Sequence, residues 1–172
     1  MQKTPFGGHT ISHAQYTFVL LSGCWLTGLL FGLLFAPYAG EIYVSLMRSA
    51  PLCSVSIVGL IAVVLVPFLL SAFAVHCKKA GLLLFLCFCK AFMHALCAGG
   101  ISLAFGNADW LVRFLLLFSD CCTLPLFCWF CFRCLCYGEQ YLRQDFLFCL
   151  AVLIAVCGFD YMVVSPFLVV LI

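Results

Sequence analysis

Long, uninterrupted apolar runs, each long enough to cross a bilayer, set the strongest constraint on what this chain can fold into. Apolar residues make up 67% of the 172 positions and charged residues only 8%, with a mean hydropathy of +1.26. A soluble domain of this size exposes too much surface to hide that much hydrocarbon. Runs such as 57–70 also lack the alternation that marks a transmembrane β-barrel. The solvent for most of this chain is therefore lipid.

Five segments reach the roughly 20 apolar residues that a helix needs to cross a bilayer. They are 16–37, 53–77, 80–106, 110–136 and 146–171. Residues 1–15 form a polar tail, and the connections between segments are too short to hold a domain outside the membrane. The sequence therefore predicts an all-α fold: a polytopic transmembrane bundle of about five helices, forming one domain over 16–172.

Basic residues near the segment ends predict the orientation, because cytoplasmic loops carry the excess of Lys and Arg. With the N-terminus inside, the basic residues on the cytoplasmic side are Lys3, Lys78, Lys79, Arg133 and Arg143, against Arg48 and Arg113 outside. We therefore expect a cytoplasmic tail over 1–15 in a multi-pass membrane protein. The chain has no basic tract of the kind that binds nucleic acid. The expected partners are the lipid bilayer and other membrane or envelope proteins.

Ionisable residues inside the predicted spans are the first candidates for a site, because such residues are costly in lipid and normally face a partner. Lys90 and His94 lie one turn apart on the third segment. At 1.5 Å per residue, Lys90 and Asp120 fall at similar depths, roughly 16–20 Å from the cytoplasmic end, and His94 and Asp160 are also level. These four residues predict a buried polar seam. The seam either ties helices together or forms the proton or ion pathway of a small transporter or channel component.

Glycine and proline residues inside the predicted spans indicate where helices pack closely or bend. Gly28 and Gly32 have the GxxxG spacing that lets another helix approach closely, either within the chain or on another protein. Pro67 and Pro125 lie inside predicted spans and favour helix kinks. The connection 38–52 is the longest one on the outer side and is a candidate contact surface.

Cysteine is abundant, with 14 residues, but most are scattered through the spans, where cysteine behaves as a small hydrophobic residue. The exception is a pair of overlapping C-x-x-C motifs formed by Cys128, Cys131 and Cys134. On a helix these three residues lie toward one side. They could therefore bind a shared metal ion or serve as the reactive thiols of a membrane thiol oxidoreductase. A structural zinc site normally takes four ligands, commonly from two separate ligand motifs, and no second motif of this kind is present in the sequence. Packing is therefore the expected role.

Signatures of soluble catalysis, such as GxSxG, HExxH, a Walker loop or GxGxxG, do not occur in the sequence. We therefore expect a protein that is not an enzyme and that needs no cofactor or metal.

Several stretches together resemble stage II sporulation protein M, a polytopic membrane protein family of endospore-forming bacteria. The C-terminal residues 161–172, YMVVSPFLVVLI, resemble the family's Tyr…Val-Ser-Pro ending. Residues 88–100, FCKAFMHALCAGG, resemble its Phe-x-Lys-Gly motif, with Ala91 in place of the glycine. Residues 106–110, GNADW, and the Leu-Pro at 124–125 stand where the family has a Gly-Trp turn and a Leu-Pro motif.

The resemblance implies a non-enzymatic scaffold. In that family the protein anchors a peptidoglycan-remodelling complex, with stage II sporulation proteins D and P, while the forespore is engulfed. Lys90 is the position that matches the family's motif. On this reading the partners are peptidoglycan hydrolases, and the small transporter and the thiol oxidoreductase are the alternatives.

Overall fold

Five helices make up the described part of the chain, which in this computed structural model comprises residues 13–49, 57–104, 110–139 and 141–164. Helices suit a chain dissolved in lipid because every backbone group within them is satisfied internally. They are α1 (His13–Ser49), α2 (Ile57–His76), α3 (Ala80–Ala104), α4 (Trp110–Tyr137) and α5 (Leu142–Phe159), the last continued by a π-helical turn over Asp160–Val164. The predicted all-α class is confirmed.

Four stretches of helix are long and apolar enough to cross a membrane: His13–Tyr38, Ala80–Leu103, Leu117–Tyr137 and Leu142–Val164. By their length and composition these four helices suggest a multi-pass membrane protein, in line with the prediction. In α2 the apolar stretch with described side chains is the shorter Leu65–His76. Among the residues of the sequence predictions, Lys3, Cys53, Ser165 and Pro166 lie outside the described residues.

Helix α1 is longer than the sequence segmentation predicts. It does not end at Pro37 but continues through this proline to Ser49 as one helix of 37 residues, about 55 Å long. A proline lacks only its own N–H, so the interruption is local, and the turns on both sides propagate past it. Since a bilayer core is about 30 Å thick, α1 is longer than one crossing requires, and its candidate membrane span ends at Tyr38.

Helices α1 and α3 run parallel to each other along a common seam. Gly28 of α1 faces Phe88 and Ala91 of α3, while Gly32, one turn later, faces Phe92 and Ala95. Gly99 near the end of α3 faces Ala36 of α1. Because the residue numbers rise together on the two helices, the chain between them has to return from one end of the bundle to the other.

The core of the bundle lies where α2, α3, α4 and α5 meet. Phe68 of α2 is fully buried against Phe127 and Phe130 of α4, with ring centroids 5.1 and 5.6 Å apart. Cysteine thiols fill the remaining space around these rings. Pro67 and Pro125 lie inside continuous helices, so neither proline ends its element, and the predicted kinks stay a prediction.

Candidate functional site

The centre of the bundle contains a direct ion pair between two neighbouring helices. Lys90 Nζ of α3 donates to Asp120 Oδ1 of α4 at 2.9 Å, with side chains 8% and 27% exposed. A charge in lipid is tolerated when an opposite charge and a hydrogen bond compensate its lost hydration. This pair meets both conditions and therefore ties α3 to α4.

His94 lies beside this pair and Ser119 precedes Asp120 on α4, and each has a buried polar atom without a hydrogen-bond partner among the described residues. His94 Nδ1 lies 3.8 Å from Asp120 Oδ2, beyond hydrogen-bonding distance. Both His94 Nδ1 and the hydroxyl of Ser119 are buried without a partner among the described residues. We call Lys90, His94, Ser119 and Asp120 the charged cluster.

Asp160, the fourth member of the predicted seam, forms no ion pair with the cluster but lies near enough to Asp120 for their charges to interact. The structure places it at the start of the π-helical turn that continues α5. In the described part of the chain its carboxylate forms no ion pair. The π-helical turn that carries Asp160 packs on α4, the helix that also carries Asp120.

The pair Gly28 and Gly32 has its partner within the chain. A Cβ atom added at Gly28 would lie 2.5 Å from the backbone oxygen of Phe88, and one added at Gly32 would lie 2.7 Å from Ala95 Cβ. Real Cβ atoms essentially never approach that closely, so both positions need glycine. The glycines therefore bring the backbones of α1 and α3 into contact, as small residues do in membranes.

The overlapping C-x-x-C motifs lie within the core. Cys131 is fully buried, with its sulphur 3.9 Å from the hydroxyl of Ser71, and Cys134 is also buried. Cys128 is half-buried and faces Cys87 of α3. All described cysteines are free, and among the described residues no three His, Cys, Asp or Glu side chains converge to hold a metal. Buried thiols of this kind are unreactive, so the arrangement favours packing.

A second charged group, at the turn between α4 and α5, was not predicted as a site. Arg133 donates twice to Asp145, from Nε to Oδ2 at 3.0 Å and from Nη2 to Oδ1 at 3.3 Å. The guanidinium carbon also lies 4.7, 5.1 and 5.8 Å from the ring centroids of Tyr137, Tyr141 and Trp129. The sequence did contain a signal, because Trp129, Arg133 and Tyr137 follow at intervals of four and so share a helix face.

We expect Arg133→Lys to lower the melting temperature of the detergent-purified protein by a few degrees. Lysine keeps the charge but loses the two-point contact with Asp145 and the stacking on the tyrosines. Arg143→Lys is the matched control, because Arg143 is exposed on the next helix and forms no described ion pair. Equal melting temperatures for all three proteins would show that the group contributes nothing to stability.

Thiol labelling should separate exposed from buried cysteines. Cys77 is exposed just after α2, whereas Cys131 and Cys149 are fully buried. A water-soluble maleimide should modify Cys77 in folded protein within minutes and reach the other two only after denaturation, as read by peptide mass spectrometry. Modification of Cys131 at the rate of Cys77 would contradict the packing role and favour a thiol oxidoreductase.

Comparison with known proteins gives no relative for this chain: no family model, no curated protein and no solved structure matches it.

Proposed function

We propose that this chain is a non-enzymatic membrane scaffold, a five-span helical bundle that holds partner proteins in a bacterial cell membrane. The observation that carries the proposal is the direct contact between Lys90 and Asp120. A closed pair leaves neither charge free for a passing ion and fixes one helix on the next. Arg133 and Asp145 use their charges in the same way one helix further on.

The parallel course of α1 and α3 supports the fifth crossing. The chain has to return across the bilayer between Ser49 and Ala80, and α2, with 20 residues, is about 30 Å long. With the N-terminus inside, Lys78, Lys79 and Arg143 then lie at the cytoplasmic end, as the distribution of basic residues predicts.

The resemblance to stage II sporulation protein M suggests the class of partner. A bundle of this kind would anchor peptidoglycan hydrolases in the membrane of an endospore-forming bacterium. The continuation of α1 past its apolar stretch, from Tyr38 to Ser49, offers such a partner a surface outside the lipid.

Affinity purification from native membranes after mild cross-linking, followed by mass spectrometry, tests the proposal. Tagged wild-type protein should recover envelope proteins, peptidoglycan hydrolases among them, and Gly23→Ala should recover the same set, since nothing lies within 4 Å of a Cβ at that position. Gly32→Leu, which forces α1 away from α3, should lose them. If folded wild-type protein recovers only what an unrelated multi-pass protein recovers, the scaffold proposal is wrong.

A transport role is the second candidate, and one observation favours it. His94 Nδ1, beside an intramembrane ion pair, and the hydroxyl of Ser119, which precedes Asp120, are buried without hydrogen-bond partners among the described residues. Unsatisfied polar atoms of this kind mark sites where water or an ion enters. Transport predicts that Asp120→Asn abolishes function in a protein that still folds, whereas the scaffold proposal predicts that function follows stability.

A further inference from the structure

A cleft opens at the end of the bundle where the α2–α3 turn meets the α4–α5 turn. It has a volume of about 370 Å³, within the range of small-molecule sites. Its apolar wall includes Val75 of α2, Leu83 of α3 and Leu135 of α4. The cleft therefore offers hydrocarbon contacts from three helices at one end of the membrane domain.

Two consecutive lysines form the rim of this cleft. Lys78 and Lys79 both line it and are exposed, and neither has a carboxylate partner in the described part of the chain. The turn holds them in place: Lys78 N–H donates to Val75 O at 2.8 Å, and Lys79 N–H donates to Ala74 O at 2.9 Å. Lys78 has a φ of 56°, a strained conformation for a residue with a side chain. The turn therefore fixes the backbone conformation at this lysine.

One acidic residue also stands at the rim and offsets part of the lysines' charge without forming an ion pair with either of them. Glu139 also lines the cleft, but its carboxylate lies 3.2 Å from His76 Nδ1 across the two turns. The nearby Arg133 is likewise occupied by Asp145. Neither lysine therefore has a carboxylate within 4.0 Å among the described residues, and with His76 neutral the two lysines and Glu139 leave a net charge of +1 at the rim of an apolar cavity.

The level of the cleft in the membrane follows from its neighbours. Tyr137 and Tyr141, whose rings pack edge to face 5.8 Å apart, lie at the same turn between α4 and α5. Tyrosine and basic side chains gather where the hydrocarbon meets the headgroups. The lysines are thus at headgroup level, and the apolar wall lies at the level of the first acyl carbons.

We propose that this cleft binds an anionic phospholipid of the surrounding bilayer, with its phosphate between Lys78 and Lys79 and one acyl chain along Val75, Leu83 and Leu135. The charge of the rim and the apolar wall are complementary to the two halves of such a lipid. Basic pockets between membrane helices bind anionic headgroups in this manner. This proposal is independent of the scaffold function.

Native mass spectrometry of the full chain, released from mixed vesicles of phosphatidylglycerol and phosphatidylcholine, tests the proposal. Wild-type protein should retain phosphatidylglycerol in preference to phosphatidylcholine. Lys78→Asn/Lys79→Gln should reduce the retained phosphatidylglycerol at least five-fold, and asparagine tolerates the backbone conformation at position 78. Arg143→Gln removes an exposed charge at the same end that does not line the cleft, and it should retain the lipid as wild type does.

A second variant separates the cleft from its charge. Ala80→Phe fills the cavity and keeps both lysines, so it should also lose the lipid. Equal losses for Lys79→Gln and Arg143→Gln would overturn the proposal, because general surface charge would then explain retention. Retention of phosphatidylglycerol by Ala80→Phe would also overturn the proposal. Displacement of the lipid by millimolar glycerol phosphate would overturn it too, since in either case the site would recognise phosphate without the acyl chain.

Discussion

Lys90→Met is expected to lower the free energy of unfolding in detergent by about 3–5 kcal/mol, the usual cost of leaving one member of a buried ion pair without its partner. The variant leaves Asp120 inside the bundle without its ion-pair partner, and among the described residues the remaining basic atom within 4 Å of its carboxylate is His94 Nδ1, 3.8 Å away. Asp120→Leu should cost a similar amount, because it strands Lys90, whose side chain is 8% exposed. The measurement is equilibrium unfolding in detergent micelles, followed by circular dichroism.

The double variant Lys90→Met/Asp120→Leu is the matched control. Removing both charges leaves an apolar contact of similar volume, so most of the lost stability should return, as it does when buried pairs are replaced by well-packed apolar residues. A double variant as unstable as the sum of the two single variants would contradict a pairwise tie between α3 and α4.

Gly32→Ala is expected to destabilise the protein by about 1–3 kcal/mol, the usual cost of overpacking. The added methyl group would meet Phe92 O and Ala95 Cβ, so α1 and α3 have to separate. Gly23→Ala is the matched control on the same helix, with open space around the new methyl group. It should be neutral or slightly stabilising, because alanine favours a helix over glycine. Equal unfolding free energies for the two variants would contradict the close approach of α1 and α3.

The sequence predicts the residue types of the charged cluster more completely than it predicts their arrangement in space. Rise per residue fixes the depth of a side chain along its helix, and Lys90 and Asp120, at similar depths on adjacent helices, lie 2.9 Å apart in the structure. Depth says nothing about the rotation of a helix around its axis or about which helices are neighbours. Asp160 shows the consequence: it is level with His94 by count, but its turn packs on α4, where its charge faces that of Asp120.

Glycine spacing predicted a packing face but not its partner. The GxxxG spacing indicates that another backbone approaches closely, but it does not identify the other helix. That identity depends on the small residues opposite the glycines, here Ala91 and Ala95. Those alanines are indistinguishable in sequence from any other small residues of a membrane helix.

The length of α1 and the role of Arg133 were missed for different reasons. Hydropathy locates the apolar stretch of α1, which ends at Tyr38, and does not show that the helix itself continues to Ser49. Arg133 was read only as a marker of orientation. Its partner Asp145 lies 12 residues further on, across a turn whose geometry the sequence does not specify.

Complementation by the double variant Lys90→Met/Asp120→Leu is the most direct test of the central claim. The claim is that the intramembrane charges stabilise the bundle of a scaffold protein. A strain lacking this protein would receive wild type, Asp120→Leu or Lys90→Met/Asp120→Leu, with the amount of folded protein in the membrane measured in each case. We predict that the uncharged double variant restores the wild-type phenotype, while the single variant fails in proportion to its lost folded protein. A double variant that is fully folded and present at the wild-type level, yet fails to complement, would contradict the scaffold function and favour transport through the charged cluster.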